Sequence, residues 1–181
     1  MRTARHPALL LLALFVLLTI PGCQSPGPVA VSAAEINLSS GALGKDFNQT
    51  AEDLYNPAMP PEVLDYNQRI FASSKATVYA RVVIYEQVND AEKLVELHRD
   101  SLEAELVEGM GDALQGFDQP EIIPLGGYAI LKEIRLSRME GHFLIWADRN
   151  VVFEIVSIGR FGAVSSEKIQ DFAKVALGRI K

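Results

Sequence analysis

The stretch Ala76 to Tyr85, ATVYARVVIY, decides the fold. Ala76, Val78, Ala80, Val82 and Ile84 alternate with Thr77, Tyr79, Arg81, Val83 and Tyr85, the period of two that sends successive side chains to opposite faces of a half-buried strand. Downstream, Asn89 is placed to cap a helix, with Glu92 at the third helical position to answer its amide in a capping box. Ala91, Leu94, Val95, Leu102 and Leu106 form the apolar stripe of that helix, and Gly109 or Gly111 ends it. Gly116 to Pro120 reads as loop. Tyr128 to Leu136, Gly141 to Ala147 and Val151 to Ile158 then read as strands, rich in branched and aromatic residues. Asp148-Arg149-Asn150 joins the last two as a tight hairpin, where Asn accepts positive φ. Ser165 or Ser166 caps a closing helix whose inner stripe is Ile169, Phe172, Ala173, Ala176, Leu177 and Ile180. The order β, α, β, β, β, α predicts an α+β domain: an antiparallel sheet of about four to six strands with two main helices packed on one face.

Upstream the signals are mixed. Ile36 to Leu38 fits a short strand, Ser39-Ser40-Gly41 a turn, and Ile70 to Ala72 the start of a strand. Pro57 and the pair Pro60-Pro61 forbid a continuous helix or central strand, so residues 35–74 are expected to pack as turns and short strands. Gln24 to Ala34 (QSPGPVAVSAA) is small, uncharged and proline-containing, which is tether composition. The expected organisation is a leader over residues 1–22, a tether over 23–34, and one globular domain over 35–181.

The head of the chain carries its own message. Arg2 and Arg5 precede an apolar run, Ala8 to Ile20, too short to span a bilayer as a helix, and small residues follow. That is the layout of an export signal. Ile20-Pro21-Gly22-Cys23 resembles the lipobox of bacterial lipoprotein precursors, with an apolar residue three before the cysteine and Gly immediately before it. Pro21 departs from the usual small residue. The resemblance implies that Cys23, the single cysteine, is lipidated and tethers the protein to the cell membrane or outer membrane, facing the periplasm or exterior. Acyl chains contribute about 0.8 kcal/mol per buried CH₂, so several of them anchor a protein where one holds it marginally. Two other readings stay open: cleavage as an ordinary secretory signal after Val31-Ser32-Ala33, and retention of the segment as an anchor, which Pro21 and Gly22 oppose.

Without Arg2 and Arg5, the 17 basic residues become 15 against 23 acidic ones, leaving a charge near −8. Nucleic-acid binding needs concentrated Lys and Arg to release counterions, so this balance argues against it. It also argues against electrostatic adhesion to anionic lipid, so the membrane link rests on acyl chains.

No catalytic constellation is legible. His98 and His142 lack a third ligand at metal spacing, no GxSxG elbow accompanies the serines, and Gly126-Gly127 precedes a strand where a phosphate cradle would precede a helix. His98 sits at the edge of the helix's apolar stripe and reads as a packing residue. No cofactor and no metal are implied. What remains is the sheet face away from the helices, which would carry Tyr79, Arg81 and Tyr85 and, in one register, His142 and Trp146. Aromatics with Arg are what binding surfaces favour, although residues 35–74 could fold over that face and bury it. The arrangement over Glu35 to Lys181, with Trp146-Ala147-Asp148-Arg149-Asn150-Val151-Val152 between two strands, looks like the small α+β domains of uncharacterised exported bacterial lipoproteins. That resemblance brings no catalytic residues. The expected function is a membrane-anchored module that binds an envelope protein or a small ligand; the alternative is an envelope enzyme or enzyme accessory using the aromatic, His and Arg face.

Overall fold

The structure, a computed structural model, describes residues 27–54, 59–87 and 89–180. The leader and Cys23 lie outside the described residues. In chain order come α1 (Ala33–Ile36), α2 (Ser40–Leu43), β1 (Asn48–Leu54), β2 (Val63–Ala72), β3 (Ala76–Tyr85), α3 (Ala91–Met110), β4 (Leu114–Phe117), β5 (Glu121–Ile122), β6 (Tyr128–Leu136), β7 (Glu140–Asp148), β8 (Val151–Gly159) and α4 (Ser166–Leu177). The strands form one antiparallel sheet in the order β1-β2-β3-β8-β7-β6-β4, with β5 beside β4 on the outer edge of β6. Strand β8 is central, which is why VVFEIVSIG is apolar almost throughout: both of its faces are covered.

Among the described residues the sheet has eight strands, more than the four to six expected. The extra ones are edge strands with weak patterns. NQTAEDL in β1 lacks an apolar face and is held by its ladder to β2, Asn48 opposite Ala72 through Leu54 opposite Asn67. In β4, within the stretch read as loop, Gly116 at φ 136 supplies an irregular step. The helices do not share one face. Helix α3 lies over β6 and β7 with Leu94, Val95 and Leu102 inward, against Ile134, Phe143, Ile145 and Val156. The other face receives α4, α1 and the chain around Leu43 and Phe47, closing over Val78, Ala80, Val82, Leu144, Phe153 and Ile155.

Smaller departures have local causes. Ala33–Ile36 is a helical turn where a strand was expected at Ile36, because Ser32 and Glu35 close a reciprocal capping box. Asp90, one residue after Asn89, is the cap of α3, accepting from the amides of Glu92 and Lys93. In the β7–β8 hairpin it is Arg149 that takes φ 54, not Asn150. Asn150 is fully buried and its side chain is committed elsewhere: its Oδ1 accepts from the Val29 amide at 2.8 Å and its Nδ2 donates to the Tyr85 carbonyl at 2.9 Å. The same bond shows that packing starts inside the expected tether, since Val29 and Ala33 are buried.

Candidate binding cleft

Because α3 covers β6 and β7, the β1–β2–β3 wing of that face carries no helix, and the step between helix and wing forms a cleft of ≈ 290 Å³. Its floor is one cross-strand row, Gln68 on β2, Arg81 on β3 and Glu154 on β8, paired in register. Its wall is the C-terminal half of α3, where Leu102, Leu106 and Met110 face Val156 and Ile158. Tyr79, 38 % exposed, borders it on the wing.

Glu154 organises the site. Its side chain is only 3 % exposed, and a buried carboxylate is tolerated only when paired. Oε1 meets Nδ1 of His98, and Nε2 of His98 lies 2.6 Å from the Tyr85 hydroxyl. With a neutral ring, Nδ1–H donates to Glu154 and Nε2 accepts from Tyr85. Burial, helped by Glu154 and Glu62, pushes the Tyr85 phenol up to about 12, so it holds its proton throughout the neutral range. Oε2 lies 2.8 Å from Arg81 Nε. The Arg81 fork is taken by Glu105, NH1 to Oε1 at 3.2 Å and NH2 to Oε2 at 2.9 Å. Burial works against the Arg81 charge, but Glu154 and Glu105 outweigh it and hold the guanidinium above its ordinary range.

The Arg81–Glu154 contact is close but misaligned. Neither Arg81 Nε nor Glu154 Oε2 has a hydrogen-bond partner among the described residues. The attraction between them is therefore Coulombic, and both atoms are closed off from solvent. A second, larger hollow of ≈ 440 Å³, lined by Glu62, Tyr85, Glu86, Leu94 and Leu97, opens at the other end of α3. The first cleft is the better candidate because the polar row Gln68, Arg81 and Glu154, closed by Glu105, lies beside its apolar wall.

The five residues singled out in the sequence divide. Tyr79 and Arg81 border the first cleft, while Tyr85 lines the second and reaches the first through His98. Trp146 belongs to the opposite core, buried, with its indole N–H donated to the Gly126 carbonyl. His142 shares that opposite face, one pleat from Phe143, and stands across from Ser157 and Glu133. Residues 29–47 cover the opposite face and leave Tyr79 and Arg81 bordering the cleft, which answers the question the sequence left open for residues 35–74. Glu154, His98, Glu105 and Gln68 were not foreseen as site residues. The signal for Glu154 was present: a lone carboxylate at the middle of a strand that is otherwise apolar but for Ser157.

No family model matches the chain, and no curated protein matches it. Solved structures do. The extracellular domain of PknH from Mycobacterium tuberculosis superimposes with a TM-score of 0.59 at 12% identity, over 84% of this chain and 97% of that one. The likeness is one of fold. An uncharacterized protein of Mycobacterium smegmatis, the Rv0999 ortholog, aligns with a TM-score of 0.45 at 10% identity, over 76% and 90% of the two chains.

Proposed function

We propose that this protein is an exported lipoprotein, anchored through Cys23, whose domain binds a small, largely apolar ligand in the cleft between α3 and the β1–β3 wing. The observation that carries the binding reading is the cleft itself, where an apolar wall on α3 stands over a floor whose buried Glu154 carboxylate is paired with Arg81. The leader layout and the fold shared with an extracellular domain support an extracytoplasmic location. Among the described residues, no helix is long and apolar enough to cross a membrane.

Ligand capture tests this reading. The exported chain and its Gly109→Phe variant are incubated with an envelope extract, and small molecules retained by each are compared by mass spectrometry. A Cβ at Gly109 meets nothing within 4 Å and Gly109 borders the cleft, so Phe fills the hollow without a clash at its root. Enrichment on the wild type alone supports binding; identical retention by both counts against it. Anchoring is read separately, by palmitate labelling and intact mass of wild type and Cys23→Ala.

One observation favours an enzyme as the second reading: Tyr85, His98 and Glu154 stand in the order hydroxyl, base, orienting acid. The phenol argues the other way, since the burial that raises Tyr85 to about 12 disfavours the phenolate that would attack. The chain of bonds then serves to fix Glu154.

A further inference from the structure

We infer that the cleft takes a single-chain amphiphile with an anionic head, a carboxylate or a phosphate, its chain lying along β8 and its head at the end where β3 begins and β8 stops. This rests on the binding reading above and names the ligand class for the same site. The strand register lays the floor out in rows. Arg81 stands opposite Glu154, Tyr79 opposite Val156 and Thr77 opposite Ile158. Lys75 and Arg160 come two residues past the Thr77–Ile158 row, where the Arg160 amide donates to the Lys75 carbonyl at 2.9 Å. The alternation that keeps Arg81 and Tyr79 on the cleft side carries these two residues to the same side.

The two ends of this floor differ in what they offer a charged group. At the Arg81 end the charges are already satisfied: Arg81 Nε and Glu154 Oε2 are closed off from solvent, and the Arg81 fork is held by Glu105. Glu105, its side chain 51 % exposed, presents a carboxylate there, which turns an anion away. At the other end Lys75 and Arg160 are exposed, and among the described residues neither has a carboxylate within 4 Å. Arg138, in the neighbouring β6–β7 turn, is a third exposed cation in the same condition. Glu140 is paired with Gly159 beside them, but it lies on the other side of the pleat and accepts from the Gly162 amide. The exposed Asp112 belongs to the β4 side, three strands from β8. A chain with 23 acidic and 17 basic residues thus gathers unpaired cations at one end of an apolar hollow.

The rest of the cleft sets the body. From the Arg81 row to the Thr77 row the floor runs about 13 Å at roughly 3.3 Å per residue. Over that length Leu102, Leu106 and Met110 face Val156 and Ile158, and a volume of ≈ 290 Å³ suits one short chain. One further step of about 7 Å reaches the row of Lys75 and Arg160, whose long side chains span such a gap. An anionic head placed there gains two cations, a neutral head gains neither, and an ammonium head is repelled. The guanidinium fork suits carboxylate and phosphate alike, so both belong to the class.

The test is a series on one chain length: octanoate, octyl phosphate, octanamide and octylammonium, each titrated at low salt and below its aggregation threshold into the exported protein. Backbone amide shifts of Leu106, Gly109 and Ile158 report on the cleft. The expected result is saturable shifts with one or both anionic probes, and binding at least about tenfold weaker for octanamide and octylammonium. The two anionic probes tell a carboxylate from a phosphate source. The double variant Lys75→Gln with Arg160→Gln, both at exposed positions, should bring anion affinity down to the octanamide level and leave octanamide unchanged. Gly109→Phe should abolish the shifts; it sits at an exposed helix end, so loss of binding is not confused with loss of fold. Octanamide or octylammonium binding the cleft as tightly as the anions, or anion affinity untouched by the double variant, would overturn the head-group inference yet leave the binding reading standing. Absence of cleft shifts with both anionic probes, or shifts that persist in Gly109→Phe, also overturns it, and envelope-extract capture then decides the binding reading on its own.

Discussion

Under α4 the sheet presents Phe153, Ile155, Leu144 and Ala80, all apolar and fully buried. One residue further along the same strands, under and beside α3, it presents Glu154 and Arg81. The first face is closed mainly by hydrophobic burial, worth roughly 1.5–3 kcal/mol for each large side chain taken out of water, with buried Asn37 bonded to Asn67 at its β2 side. The second face holds a network whose members are tolerable only together. The difference separates two constructions within one sheet: one side is a sealed core, and the other keeps a buried charged row beside an open hollow.

The largest effect should come from the sealed side. Phe153→Ala should cost about 3–5 kcal/mol, read as a lower denaturant midpoint at unchanged slope, because a fully buried ring leaves a cavity no neighbour can fill. A loss below about 1 kcal/mol would erase the contrast between the faces. On the other side, Glu154→Ala should cost about 3 kcal/mol, since it strands Arg81 and removes the acceptor of His98. The double variant Arg81→Met with Glu154→Leu should be less destabilised than Glu154→Ala, because no buried charge is left unpaired. Equal or greater loss in the double variant would mean that the pair supports the fold outright.

Alkali should probe the polar face selectively. Burial raises Tyr85 from 10.0 to about 12, and it also raises Tyr66. A raised value means that the folded state favours the protonated phenol, so the stability it brings is whole below pH 10 and is lost as pH rises toward 12. Tyr85→Phe should flatten that alkaline decline and remove a late-titrating phenol from the absorbance curve. The smallest effect is a gain: Gly109→Ala should add about 0.5–1 kcal/mol by removing backbone freedom at an exposed helical site with open space around it.

The strands that alternate or run apolar, β3, β6, β7 and β8, were legible because burial writes a period into them. The full lengths of β1 and β2 were not. Prolines before β2 argued for turns, and β1 exists through pairing with a neighbour that its own residues do not announce. The face assignment failed for a related reason. A central strand covered on both sides loses its alternation, so Val151 to Ile158 could not say on which side Trp146 and His142 lie relative to Arg81. His98 was legible as half-buried, whereas its partners were not, because Glu154 is 56 residues away and proximity across a sheet leaves no local trace.

The Val29 amide bonded to Asn150 pins the incoming chain at the β7–β8 hairpin end of the sheet. If Cys23 is acylated, the six residues up to Val29 reach at most about 20 Å, so that hairpin would face the lipid headgroups. Met139 and Phe161, 39% and 72% exposed beside the opposite ends of β7 and β8, would then form the crown of the molecule, held a strand's length above the bilayer and turned toward whatever lies beyond it.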